Sequence, residues 1–110
     1  MNSISERDWK VFTRVYEVAL ERFCGRVLDE ARKIVDDPNK TSHERYLALY
    51  KLCDRREKEI AKGFDDYRRS TALLQIAMMY HRGLITEDEF KQFSDDTRNS
   101  ILALRKIGEG

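Results

Sequence analysis

The residue pattern predicts an all-α domain, a long antiparallel helical hairpin with a third, shorter helix packed on its distal half. Three observations lead there. Apolar residues recur in steps of three and four, and no stretch alternates with a period of two over strand length. Helix-start signatures stand at Ser5, Thr41 and Thr86. The single proline, Pro38, sits in the only marked loop cluster of the first two thirds of the chain, Asp36 to Ser42.

The first helix starts at Ser5, whose hydroxyl can accept from the free amides behind it, with Glu6 and Asp8 placed where the helix dipole favours acids. Its apolar face is Trp9, Phe12, Tyr16, Ala19, Phe23, Val27 and Ile34. It ends before Pro38, because the residue ahead of a proline is pushed out of the helical region. In the second helix Thr41 and Glu44 form a capping box. Its seam reads Tyr46, Tyr50, Cys53, Glu57, Ile60, Phe64, Tyr67, Thr71, Leu74, Met78 and His81, with Glu57 the only charged member. That register runs through Gly63 and predicts one helix from Ser42 to Arg82, about 60 Å long at 1.5 Å per residue. The rival is a break at Gly63, giving four helices, since Lys62-Gly63 resembles a helix end and Asp65 can cap a new start. Gly83 terminates the helix, with Leu84 and Ile85 folding back behind it. Thr86 to Glu89 repeats the capping box, and Phe90, Phe93, Thr97, Ile101 and Leu104 mark the buried face of the last helix.

The 110 residues make one domain, 1–110. Lys and Arg number 21 against 20 Asp and Glu, a net charge of +1, so no global field recruits nucleic acid or an anionic membrane. Charged residues make up 37% and apolar ones 41%, with mean hydropathy −0.68: enough to build a core under a heavily charged skin. The first eight residues hold no apolar core of the secretory kind, and no apolar run reaches membrane-spanning length, so a cytoplasmic protein without membrane contact is expected.

Unequal helix lengths carry the functional argument. The last helix is too short to cover the hairpin's near half, from Phe23 to Ile34 and from Tyr46 to Ile60, yet that stem has more apolar residues than one seam can bury. Leu28, Val35, Leu47 and Leu52 would be left wet, and monomers rarely tolerate such a patch. The expected remedy is a homodimer whose stems pair as a four-helix bundle, or docking of another protein's helices. Glu57 lies on the seam at about the level of Arg22 and Arg26, and an ion pair there would set the register of pairing.

Other chemistry is sparse. His43 and His81 have no Glu three residues before them, and His43-Glu44 is not followed by a second histidine four places on, so neither the di-iron nor the zinc-protease pattern is met. Cys24 and Cys53 lack a Cys-x-x-Cys partner or a nearby histidine and read as core filler. No glycine-rich phosphate loop or nucleophile elbow is present; no enzyme activity and no cofactor are expected. The resulting expectation is a non-catalytic interaction or regulatory module. The alternative is a nucleic-acid-binding protein using Arg55, Arg56, Arg68 and Arg69, although acids interleave with these bases.

Overall fold

The computed structural model describes residues 4–65 and 67–104; the first three residues of the N-terminal segment read above lie outside that range. It contains α1 (Glu6–Val35), α2 (Ser42–Gly63), α3 (Ala72–His81), α4 (Glu87–Phe90) and α5 (Asp95–Ala103), with no strand among the described residues. The molecule is long, 52 × 24 × 22 Å. α1 sets that length: its 30 residues extend about 45 Å at 1.5 Å each.

Local chemistry places the starts as expected. Ser5 accepts from the Asp8 amide, and both capping boxes form, Thr41 with Glu44 and Thr86 with Glu89. The α3 C-terminus closes on Gly83, the one described residue with positive φ, at 68°. Its amide reaches the Tyr80 carbonyl at 3.0 Å and the Leu84 amide reaches Met79 at 2.8 Å, the paired bonds of a Schellman turn. Leu84 is buried behind the turn.

The continuous helix from Ser42 to Arg82 does not form. α2 stops at Gly63 and the chain crosses residues 64–71 before α3 turns back alongside α1. Two packing needs explain the break. Phe64 inserts under Tyr16 and Phe23, and its carbonyl accepts from the Tyr16 hydroxyl; burial raises the Tyr16 pKa, aided by the nearby Asp65 charge, and keeps the donor protonated. Tyr67 then stacks among Trp9, Phe12 and Tyr16, with ring centroids 5.3, 5.6 and 4.6 Å away. A straight helix would carry both rings past α1. Gly63 itself keeps helical φ; its missing Cβ lets the Met78 side chain of α3 lie directly against it.

The last helix is also divided. α4 is a single turn, and Ser94 caps a new start at α5. The cause lies 86 residues upstream: the Asp8 carboxylate accepts from the Ser94 amide at 2.9 Å and the Ser94 hydroxyl at 2.6 Å, and from the Thr97 hydroxyl at 2.6 Å. The face expected for this segment is otherwise right, since Phe90, Phe93, Thr97 and Ile101 are buried.

Asp8 is 1% exposed. Burial works to raise its pKa, but the hydrogen bonds from Ser94 and Thr97 outweigh this and hold it below the ordinary aspartate range. A depressed carboxylate pKa contributes stability at neutral pH that is lost as pH falls through the folded-state value. Asp8→Asn should therefore lower unfolding free energy by about 2 kcal/mol at pH 7. In urea titrations the gap between the two proteins should narrow steadily below about pH 4.

Candidate interaction surface

Where α3 ends, two arginines of α1 take hold of the turn. Arg22 donates to the Leu84 carbonyl at 2.9 Å and bridges both oxygens of Glu89, at 2.6 and 3.0 Å. Arg26 donates to the Arg82 and Gly83 carbonyls at 2.9 and 2.7 Å. Arg22 holds the Glu89 pKa down, and the Thr86 amide it also accepts from acts in the same direction. Arg22 and Arg26 thus close the core end of the molecule. They do not meet Glu57, which is exposed on α2, and the expected seam ion pair is absent among the described residues.

Arg56, the neighbouring residue, occupies the seam. It donates to Glu30 of α1 at 2.9 and 3.2 Å and to Glu59 at 2.8 and 2.9 Å, and its bonds lower the Glu30 pKa. The α2 seam is Arg45, Leu49, Leu52, Arg56 and Gly63, one residue earlier than the apolar pattern indicates. Arg45 reaches the Val35 carbonyl at 2.6 Å and so caps the end of α1. Both arginines lay their methylene stems along the hairpin and turn their charged ends onto partners.

The one-residue rotation redistributes the expected interface. Leu52, expected to be wet, is 2% exposed because it closes the seam. Tyr46 and Tyr50, expected in the seam, are 65% and 63% exposed. Leu28 and Val35 are exposed as expected; Leu47 is exposed too, but lies one helical step beyond Tyr46, at the edge of the back of α2. Cys53, read as core filler, is exposed, and Cys24 is half-buried; both are free thiols.

These residues form one face. In each helix they directly follow a seam position: Leu28 after Val27, Val35 after Ile34, Tyr46 after Arg45, Tyr50 after Leu49 and Cys53 after Leu52. Each step rotates about 100° about its helix, and in an antiparallel pair the two rotations turn toward the same side. One side of the stem thus presents Leu28, Val35, Tyr46 and Tyr50. α3 ends at the clamp formed by Arg22 and Arg26, so among the described residues the stem beyond that level has two helices only.

The arginines of the nucleic-acid alternative are partly engaged. Arg56 is bound by Glu30 and Glu59, and Arg69 pairs with Glu6 while stacking 5.6 Å over the Trp9 ring. Arg55 is exposed on α2. Arg68 also has an interaction of its own. His43 is exposed in the first turn of α2, and the His81 ring lies 3.2 Å from the Ile101 carbonyl. No group of three or more potential metal ligands occurs among the described residues, and no described helix is long and apolar enough to cross a membrane. Comparison with family models, curated proteins and solved structures yields no match.

Arg22→Ala removes the side-chain donor to the Leu84 carbonyl and the ion-pair partner of Glu89 together and should cost about 1–2 kcal/mol in chemical denaturation. Glu57→Lys, at an exposed position outside the seam, should stay within about 0.5 kcal/mol of the parent. A larger loss at Glu57 than at Arg22 would contradict this account of the seam.

Proposed function

We propose that the chain is a non-catalytic helical interaction module that pairs with a second copy through the exposed face of its stem. The observation that carries this reading is the row of Leu28, Val35, Tyr46 and Tyr50, four large apolar side chains left open on one side of a two-helix arm. Scattered apolar residues on a surface are ordinary; a contiguous row at helical spacing marks a contact. Arg32, paired with Asp29, lies between Leu28 and Val35 on that side of α1, and the rest of the face offers shape at the 3.6-residue period, which an identical stem matches. Two stems laid face to face with twofold symmetry make a four-helix bundle of the ordinary kind.

Size sets the strength. The bare stem is about 24 Å long and two helices of about 10 Å wide, so the pair would bury about 1,000 Å² in total. That is the low end for specific association and corresponds to a dimer that exchanges at micromolar concentrations rather than an obligate one. The engagement of Arg56 and Arg69 by carboxylates favours this reading over nucleic-acid binding through the four arginines.

Sedimentation equilibrium from 1 to 200 μM, about the range such an interface demands, should show a concentration-dependent rise toward twice the mass. Leu28→Lys with Tyr50→Lys should shift the midpoint at least tenfold upward while leaving the melting temperature of the monomer nearly unchanged, since both side chains are already in water. A parent protein that stays monomeric throughout, or a double variant that associates as well as the parent, overturns the proposal.

A further inference from the structure

At the other end of the molecule, the first half of α1 runs beside the segment that joins α4 to α5, and an open groove of about 560 Å³ lies between them, lined by Arg7, Lys10, Val11, Arg14 and Gln92. Three of its five lining residues are cations and none is an acid. Among the described residues no carboxylate forms an ion pair with Arg7, Lys10 or Arg14. The only side-chain hydrogen bond of the three among the described residues is from Arg14 to the side-chain amide oxygen of Gln92, 3.2 Å. Elsewhere Arg22, Arg32, Arg56, Arg69 and Arg98 have carboxylate partners, and Arg26 and Arg45 are held by backbone carbonyls.

Arg7 is the least expected of the three. It stands in the first turn of α1, where the helix dipole favours anions and disfavours a cation. Its neighbour Asp8 is already committed to Ser94 and Thr97 inside the protein. The Arg7 charge is the smallest of the influences that bear on the Asp8 pKa, and among the described residues Arg7 forms no ion pair and no side-chain hydrogen bond.

We infer that this groove binds a compact anion carrying two linked phosphate groups. The spacing decides against a single phosphate, because positions 7, 10 and 14 spread their three cationic heads over about 10 Å of helix. The same stripe decides against a long polyanion: the next positions on that face, Glu17 and Glu21, are acids, so the positive stretch ends one turn beyond Arg14. A nucleic-acid backbone laid along the groove would run into them. Two guanidinium forks can each hold a pair of phosphate oxygens, the ammonium of Lys10 adds a point charge between them, and the Gln92 amide supplies a neutral donor at the rim. The site is on the part of α1 covered by α4 and α5, away from the stem face, so its occupancy does not depend on self-association.

The test is titration of the full chain with inorganic diphosphate by calorimetry at low ionic strength, with orthophosphate and a single-stranded oligonucleotide as the other arms. One saturable site is expected for diphosphate, at least tenfold tighter than for orthophosphate and weakening as salt is raised. Arg7→Gln with Arg14→Gln should weaken it at least tenfold and Lys10→Gln about threefold, whereas Arg55→Gln on α2 should leave it unchanged. Arg7→Lys with Arg14→Lys keeps the charge without the planar forks and should fall between the parent and the glutamine pair, which preserves the test if the glutamine pair fails to fold. The inference fails if diphosphate does not saturate, if the glutamine pair binds as well as the parent, if orthophosphate binds equally, or if the oligonucleotide binds more tightly through these same residues.

Discussion

Three of the five helices among the described residues are too short to stand unaided, and what orients them is a set of polar side chains on α1. α3, α4 and α5 have 10, 4 and 9 residues, and isolated helices below about 12–15 residues are marginal in water. Each has an end that α1 serves. Arg26 takes the carbonyls behind α3, Arg22 ties the turn to the capping glutamate of α4, and Asp8 accepts from the N-cap of α5. Burial of Phe12, Ile76, Phe93 and Ile101 supplies the apolar driving force, but that force is not directional. Orientation comes from α1, a rod that both packs against the others and terminates them.

This arrangement explains which parts of the fold were legible in the residue order. Ser5, Thr41 with Glu44, and Thr86 with Glu89 act within four residues of themselves, so their chemistry is visible locally. Gly83 is of the same kind. The helix end at Lys62-Gly63 is also legible, as the rival to a continuous helix, but the choice between the two, the restart at Ala72 rather than Asp65 and the break before Ser94 are not, because each is decided by a partner far along the chain: Tyr16 and Phe23 receiving Phe64, and Asp8 receiving Ser94. A carboxylate in the first turn of a helix reads as a complement to the dipole, and nothing in its neighbours reveals that it is also another helix's cap. The heptad through Gly63 persists on paper because Tyr67, Thr71 and Leu74 keep the spacing, although Tyr67 reaches α1 from a non-helical segment.

The stem shows a subtler failure of the apolar rule. Counting only hydrophobic residues selects Tyr46, Tyr50 and Cys53 as the seam, and the result is plausible in every position but Glu57. The molecule instead uses Arg45 and Arg56, whose aliphatic stems cover the neighbouring helix while their guanidiniums bond to Val35 and Glu30. One residue of rotation then moves two tyrosines from inside to outside. The surplus of apolar side chains is legible in the sequence, as is the exposure of Leu28 and Val35. The identity of the rest of the face depended on where two arginines went, a choice made by the availability of a free carbonyl and a glutamate across the seam.

The proposed stem contact and the proposed anion groove fall at opposite ends of α1, separated by the clamp of Arg22 and Arg26. Between the two surfaces the bundle is held by buried rings and by bonds to α1, so neither surface is needed to complete the core. This separation has a physical consequence. Two chains joined by their stems about a twofold axis perpendicular to the helices would direct their α3–α5 ends away from each other, leaving each groove open to solvent and carrying the two basic stretches apart rather than together. The mutual repulsion of like charges, which would oppose pairing through the other end, is then weakened by distance and by screening over about 10 Å. The proposed stem-to-stem pairing is thus the arrangement that the repulsion of these cations opposes least, and it would leave the cationic end accessible.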